Sequence, residues 1–211
     1  MNQEITSIAD IQNRVRDKYT DWSNHGYVTV NEHDGLLIFN YNAMAQYEGA
    51  WNFFELVSRG LVIDAKTGEI IARGFDKFFN WFEGGRVATG NIVSITEKVD
   101  GSLGILYRHH SQYRITTRGS LTSSQGIWAT QFLNANYDLS GLDEQYTLLF
   151  EIIYPDNRIV VDYGDREDLV LLAVRNRHTG DYLPFFPNVY ELGNHYGFSL
   201  PNVYTFNDVT R

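Results

Sequence analysis

The chain has 211 residues, enough for one large or two small domains, and its 43% hydrophobic and 20% charged residues are ordinary for a soluble globular protein. Its net charge of −9 argues against a protein that coats nucleic acid with a basic surface, but a local cationic pocket remains possible. Cysteine is absent, which excludes disulfides and thiolate metal sites, and no signal-peptide core or membrane-length apolar run occurs. These features predict a cytoplasmic protein with no membrane partner.

The first half of the chain predicts one helix followed by paired strands. Apolar and aromatic residues recur every three or four positions at the start, as in an amphipathic helix. Asp34-Gly35 lies between alternating runs, which is typical of a hairpin. In chain order we expect a helix over 5–22, a hairpin over 27–41, a helical or loop-like stretch over 42–57, strand–turn–strand over 60–72, an irregular aromatic-rich segment over 75–85, and strand–motif–strand over 91–107.

The second half predicts more strands with two helices between them. Ser123 or Ser124 is suited to cap a helix, and Gly197 to end one. The expected elements are strands over 113–117, 146–154, 158–163 and 169–175, a helix over 123–134, and a short helix over 188–196. No repeat, linker or low-complexity tract interrupts this order. We therefore predict an α+β fold, mostly antiparallel sheets with flanking helices, that forms one domain over 1–211.

The run KVDGS at 98–102 is the strongest chemical signal. Lys98 follows a strand-like run, with Glu97 before it and the turn pair Asp100-Gly101 after it. A lysine amine at such a junction is placed for covalent chemistry, and the glycine lets backbone approach a ligand. The alternative is an ordinary hairpin whose lysine is simply solvated.

Several other stretches occur in the order used by covalent nucleotidyltransferases, the superfamily of ATP-dependent ligases and capping enzymes. The sequence most resembles the RNA ligase 1 family of T-even phages, and the likeness runs from about residue 36 to about 200. The run KFFN at 77–80, with Glu83, makes this assignment more specific than the lysine motif alone. The segments that carry the resemblance are 58–62, 77–80, 98–102, 117–120, 150–161 and 169–180.

The resemblance implies a role for each motif residue around ATP. Lys98 is the nucleophile that attacks the α-phosphate, while Arg59 and Lys77 contact the triphosphate tail. Glu97 accepts a hydrogen bond from the adenine amino group, and Arg118 contacts the ribose or phosphates, where the family can have lysine. Arginine suits bidentate phosphate contact, and lysine serves as a point charge. The alternatives are a surface ion pair for Arg59 and a solvated strand-end charge for Glu97.

Glu151 lies inside an apolar strand, where an unpaired charge is costly to bury, so it requires a metal, a cation or a ribose hydroxyl. We predict that it binds nucleotide and Mg²⁺ or Mn²⁺; the alternative is an ion pair with Arg158. The strand that the resemblance places beside the adenine has only aliphatic side chains, so we expect Val174 or Leu172 to cover the base. Phe78 either packs on the nucleotide or belongs to the core.

The six histidines form no predicted metal set, because His109 and His110 are adjacent and should point to opposite faces of a strand. Neither is there a GxxxxGK[ST] phosphate loop, and Gly84-Gly85 is expected to be a turn. The superfamily's later motifs are also missing: no Glu-Gly pair followed by an apolar strand occurs after Glu151, as an EGxV-type motif requires, and no lysine follows Lys98, as a KxK-type motif requires. We therefore expect a domain that is incomplete at its C-terminal end and poorly active by itself.

The resemblance implies an ATP-dependent RNA ligase. Lys98 would form lysyl-AMP, the AMP would pass to an RNA 5′-phosphate, and an RNA 3′-hydroxyl would then seal the strand. One alternative is a DNA ligase or a GTP-using capping enzyme, against which the run at 77–80 argues. The other is a non-catalytic nucleotide- or RNA-binding remnant. ATP and AMP, RNA ends and a divalent metal are the implied partners.

Overall fold

The computed structural model describes residues 4–80, 83 and 94–204. Ten strands lie in this part of the chain, in two four-stranded antiparallel sheets and one short pair. The first sheet has the order β1-β2-β3-β4, the second β7-β6-β8-β9, and β5 pairs with β10. The strands are β1 (Val28–His33), β2 (Leu36–Tyr41), β3 (Arg59–Asp64), β4 (Ile70–Arg73), β5 (Ile95–Thr96), β6 (Ser102–His109), β7 (Gln112–Thr116), β8 (Tyr146–Ile153), β9 (Asp168–Asn176) and β10 (Val203–Tyr204).

Within the described ranges, five α-helices flank the sheets, so the predicted α+β class with antiparallel sheets is confirmed. They are α1 (Ile8–Arg16), α2 (Ala43–Glu48), α3 (Phe53–Val57), α4 (Ser124–Asn136) and α5 (Tyr190–Tyr196). Ser123 accepts a hydrogen bond from the Gly126 N–H and caps α4, and Gly197 ends α5 in the left-handed conformation, both as predicted. None of the described helices has the length and apolar character needed to cross a membrane.

The helix predicted over 5–22 is shorter than expected. A capping box between Ser7 and Asp10 starts α1, and the chain leaves the helix after Arg16, with Lys18 at a φ of 61°. Trp22 lies instead in a separate 3-10 turn and packs with Ile11 in the core beside the first sheet. The regular spacing of apolar residues extends beyond the end of α1 because the side chains on both sides of that end pack into the same core.

The two sheets pack against each other through a common apolar layer. Ile38 and Val62 of the first sheet meet Ile105 of β6, and all three are fully buried. Gly60, at a φ of 82°, allows this approach, because a Cβ there would lie 2.1 Å from the Ile105 side chain. The other face of the second sheet packs on α4 and α5.

Two local predictions are wrong. Residues 158–163, all described, form bends rather than a strand, after a 3-10 turn at Pro155–Asn157. His110 does not continue β6: it lies in the turn to β7 at a φ of 48°, so the rings of His109 and His110 come within 3.8 Å of each other. The predicted strand residues 91–93 and the turn at Gly84-Gly85 lie outside the described residues.

Candidate active site

A cavity of about 770 Å³ receives residues from both sheets and from the KVDGS run. Arg59, at the start of β3, lines it from the first sheet. Glu151 of β8 lines it from the second, and Lys98 follows the short strand β5. The lining also includes Glu97, Gly101, Arg118 and Leu172. The structure thus brings together most of the residues that the sequence singled out.

Lys98 presents its amine to solvent in this cavity. Its side chain is 89% exposed, and its Nζ lies 3.7 Å from Oδ1 of Asp100. The preceding strand β5 is held by β10, and the Glu97 N–H donates to the Asn202 carbonyl at 2.8 Å. The Glu97 carboxylate also accepts a hydrogen bond from the Asn202 amide at 2.6 Å. The backbone at Lys98 is therefore anchored while its amine stays accessible.

Asp100, which as a residue of the motif is also predicted to bind nucleotide, makes several contacts within the protein. Its Oδ2 accepts hydrogen bonds from the backbone N–H groups of Val160 (2.7 Å) and Val161 (2.9 Å). These bonds hold the pKa of Asp100 below its usual value, and Lys98 lowers it further. The Asp100 N–H in turn donates to the Tyr163 hydroxyl at 3.0 Å. Asp100 therefore fixes the 158–163 segment beside the lysine, which replaces the expected strand.

Gly101 is needed for a contact within the protein. A Cβ at this position would lie 2.4 Å from the Ile152 carbonyl oxygen, closer than any side chain allows. The glycine thus lets the KVDGS run pack on β8, where the Gly101 N–H hydrogen-bonds to Glu151. Gly101 also lines the cavity, and its predicted approach to a ligand stays a prediction.

Glu151 is a half-buried carboxyl beside Lys98. Burial raises its pKa to about 7, although Lys98, the Gly101 N–H and Arg59 all favour the ionised form. The alternative partner Arg158 instead pairs with Asp162 at 2.7 Å. Ionising Glu151 near neutral pH therefore costs free energy, even with Lys98 and Arg59 nearby, unless another cation binds beside it.

Two arginines meet at the hydroxyl of Tyr41. The Arg118 Nη1 donates to the Tyr41 oxygen at 3.0 Å, and Arg59 hydrogen-bonds to the same side chain. Burial lowers the pKa of Arg59, and the charge of Arg118 acts in the same direction. The Arg59 Nη1 is buried and has no hydrogen-bond partner among the described residues. A buried, unpaired cationic donor favours an anion at this end of the cavity.

Tyr41 was missed by the sequence analysis. It ends β2, and its N–H donates to the Ser58 carbonyl at 2.7 Å, so it lies beside Arg59. Its position beside Arg59 depends on the pairing of β2 with β3, and a tyrosine at a strand end carries no distinctive sequence signal by itself.

Lys77 does not line the cavity among the described residues. Its Nζ donates to the Phe78 carbonyl at 2.7 Å and lies 4.3 Å from the centre of the Phe79 ring. Phe78 does line the cavity, and its ring lies 5.0 Å from the Arg59 guanidinium carbon. The segment therefore contributes an aromatic wall, and the triphosphate contact of Lys77 stays a prediction.

Leu172, not Val174, faces the cavity. Leu149 pairs with Ala173 but Phe150 pairs with Leu171, so Leu172 is an extra residue that forms a bulge in β9. The bulge reverses the alternation of side chains: Val174 is fully buried in the core under α4, whereas Leu172 lines the cavity. The prediction that Val174 covers the base is corrected accordingly.

Solved structures of nucleic-acid ligases have the same fold. An archaeal ATP-dependent RNA ligase superimposes with a TM-score of 0.63 at 17% identity, over 96% of this chain and 54% of that one. A putative ATP-dependent DNA ligase from Aquifex aeolicus gives 0.56 at 17% identity, over 93% and 50%. The chain therefore has the nucleotidyltransferase fold of ATP-dependent ligases.

The family model described as RNA ligase, of the T4 RNA ligase 1 type, matches residues 57–211. The chain belongs to this family. It is 31% identical, over 194 residues, to a putative bifunctional polynucleotide kinase/RNA ligase of Autographa californica nuclear polyhedrosis virus, covering 76% of this chain and 28% of that protein. It is 30% identical to a putative RNA ligase of Thermovibrio ammonificans over 134 residues, 59% of this chain and 35% of that protein. The chain thus spans about a third of the length of these relatives.

Proposed function

We propose that the protein containing this chain is an ATP-dependent RNA ligase and that Lys98 carries the AMP. The observation that carries the proposal is the accessible Lys98 amine in one cavity with Arg59, Arg118 and the half-buried carboxyl of Glu151. This set supplies a nucleophile, cations for phosphate groups, and a carboxylate that requires a cation. Family membership supports RNA as the substrate.

The reaction we propose has three steps. The deprotonated Lys98 amine attacks the ATP α-phosphate, an N–P bond forms, and pyrophosphate leaves. An oxygen of an RNA 5′-phosphate then displaces the lysine and takes the AMP. Finally, an RNA 3′-hydroxyl attacks that phosphate and AMP leaves, which seals the strand. Arg59 and Arg118 would bind the phosphates, and Leu172 with the Glu97 region would surround the base.

A divalent metal fits the residues of this cavity. Burial and the charge of Asp100 disfavour the ionised form of Glu151, so a cation would compensate its charge. Mg²⁺ is commonly held by one or two carboxylates together with substrate phosphates, and Mn²⁺ accepts similar oxygen ligands. When bound, the metal would neutralise charge that develops on the phosphates.

We also propose that 1–211 forms one nucleotide-binding domain of a cytoplasmic enzyme and that this chain alone is slow. The sequence has no lysine after Lys98, so the two lysines of the KxK-type motif are not within these residues. Loss of one group that stabilises transition-state charge costs about 100- to 1,000-fold in rate. Lysyl-AMP formation by the chain alone should therefore be slow, and strand joining should be undetectable.

The test compares nucleotides and then nucleic acids. The chain is incubated with labelled ATP or GTP and Mg²⁺, and the protein containing it is given 5′-phosphorylated RNA or DNA strands. The proposal predicts labelling from ATP alone and sealing of RNA. Labelling from GTP would indicate a capping-type enzyme, and preferential DNA sealing a DNA ligase. ATP binding without any covalent label in the longer protein would indicate a non-catalytic binding protein.

A further inference from the structure

Two hairpin turns, one from each sheet, meet at the end of β6 opposite the active site. Asp34 lies in the turn between β1 and β2 at a φ of 52°, and His110 lies in the turn between β6 and β7 at 48°. β6 runs from Ser102 at the cavity to His109 at this turn, a distance of about 23 Å at 3.3 Å per residue. The cluster is therefore remote from the nucleotide site.

Three metal-binding side chains converge here. The ligand atoms of Asp34, His109 and His110 all lie within 4.8 Å of one another. The His109 Nε2 is 3.5 Å from Oδ2 of Asp34, and the His110 Nε2 is 3.8 Å from Oδ1. The positive φ of His110 turns its ring back toward His109, which is why adjacent histidines share one face.

We propose that Asp34, His109 and His110 form a binding site for a divalent transition-metal ion, with Zn²⁺ as the best fit. Two ligand atoms about 2.1 Å from a tetrahedral Zn²⁺ lie about 3.4 Å apart. The two Asp–His separations, which run to different oxygens of Asp34, are close to this value, and all the ligand atoms lie within 4.8 Å of one another, so side-chain shifts of about 1 Å would bring the three ligands onto one ion. Imidazole and carboxylate ligands suit Zn²⁺, whereas Mg²⁺ prefers oxygen ligands alone.

The exposure and charge of the cluster fit an ion that retains water. Asp34 and His110 are exposed and His109 is half-buried, so a water molecule has access as the fourth ligand. Arg114 is the competing cation, with its Nη1 3.7 Å from Oδ2 of Asp34. The His109 Nε2 also lies 3.0 Å from the Asp34 carbonyl oxygen, so binding requires the tautomer in which this nitrogen is unprotonated.

A metal here would join the two sheets. Asp34 belongs to the hairpin of the first sheet, and both histidines belong to that of the second. The ion would therefore be a structural link that stabilises the packing of the sheets without taking part in catalysis. It would act as a ligand of the folded state and raise the unfolding temperature with metal concentration.

Calorimetric titration of the chelator-treated chain with Zn²⁺ tests the site. We expect one ion per chain, at least ten-fold weaker binding in Asp34→Asn and in His110→Asn, and no response to Mg²⁺. Asparagine is chosen because it tolerates the positive φ of both turns, so the hairpins are kept. Zn²⁺ at a hundred-fold excess over its Kd should raise Tm by about 5–10 °C in the wild type and not in these variants.

Two further variants make the test independent of folding defects. Arg114→Gln should tighten Zn²⁺ binding, because it removes the cation that competes for Asp34. His178→Ala, in an exposed turn elsewhere, should leave binding unchanged. Zn²⁺ affinity that is the same in the wild type, Asp34→Asn and His110→Asn, or that is unaffected by Arg114→Gln, would overturn the proposal.

Discussion

Replacing Glu151 by glutamine should make the protein more stable at alkaline pH. The pKa of this carboxyl is raised from 4.5 to about 7, with burial as the main cause. A carboxyl whose pKa is higher in the folded state contributes stability that is fully present below pH 4.5 and is lost as pH rises through 7. At about 1.4 kcal/mol per pKa unit, the loss reaches up to about 3 kcal/mol by pH 8.

Urea unfolding from pH 4.5 to 8.5 measures this effect. Glu151→Gln keeps the shape and an acceptor for the Gly101 N–H, but it does not ionise. Its free energy of unfolding should nearly match the wild type at pH 4.5, exceed it progressively between pH 4.5 and 7, and stay higher by a nearly constant amount above pH 7. Glu167→Gln, on the exposed surface, is the control for a change in net charge. If the difference between Glu151→Gln and wild type stays within about 0.5 kcal/mol across this range, burial of Glu151 has been overestimated.

The same substitution should have the opposite effect on nucleotide binding. If Glu151 holds Mg²⁺ as proposed, it must be ionised to do so, and the affinity of the wild type for ATP with Mg²⁺ should therefore increase from pH 6 to 8. In Glu151→Gln the affinity should be weaker and should lose this increase. An unchanged pH profile in the variant would remove Glu151 from the proposed metal site.

The remaining predictions concern the walls of the cavity. Arg59→Gln should weaken ATP binding by about 1.5–3 kcal/mol and AMP binding by less. Lys77→Gln, whose amine lies outside the cavity lining, should have a smaller effect on ATP binding. Calorimetry measures both affinities, and equal losses of ATP and AMP affinity in Arg59→Gln would contradict the assignment of Arg59 to the triphosphate. Leu172→Ala should reduce nucleotide affinity with little loss of stability, because Leu172 lines the cavity. Val174→Ala should instead lower the free energy of unfolding by about 2 kcal/mol, because Val174 is buried in the core. The reverse pattern in calorimetry and urea unfolding would contradict the placement of these two side chains by the bulge in β9. Asp100→Asn should speed hydrogen exchange at the Val160 and Val161 amides, and unchanged exchange would exclude its role in holding that segment.

The features predicted correctly from sequence are those determined by residues close together in the chain. Asp34-Gly35 specifies a two-residue hairpin, Ser123 caps α4, and Gly197 ends α5, each through the conformation of a few neighbouring residues. Lys98 was recognisable because it belongs to a contiguous motif. The fold class followed from the order of these elements together with the resemblance.

The errors arise where contacts distant in sequence decide the structure. The bulge at Leu172 depends on pairing with β8 and reversed the assignment of Val174. The 158–163 segment is held by Asp100, about 60 residues earlier in the chain, which no local pattern reveals.

Intact mass measurement after incubation with ATP and Mg²⁺ tests the central claim most directly. The protein containing this chain should gain the mass of one AMP, and peptide mapping should place the adduct on Lys98. Lys98→Ala should abolish the gain, and Lys98→Arg should abolish it equally, because arginine stays protonated and is a poor nucleophile. An AMP adduct that persists in either variant, or that maps to another residue, would contradict the assignment of Lys98 as the nucleophile.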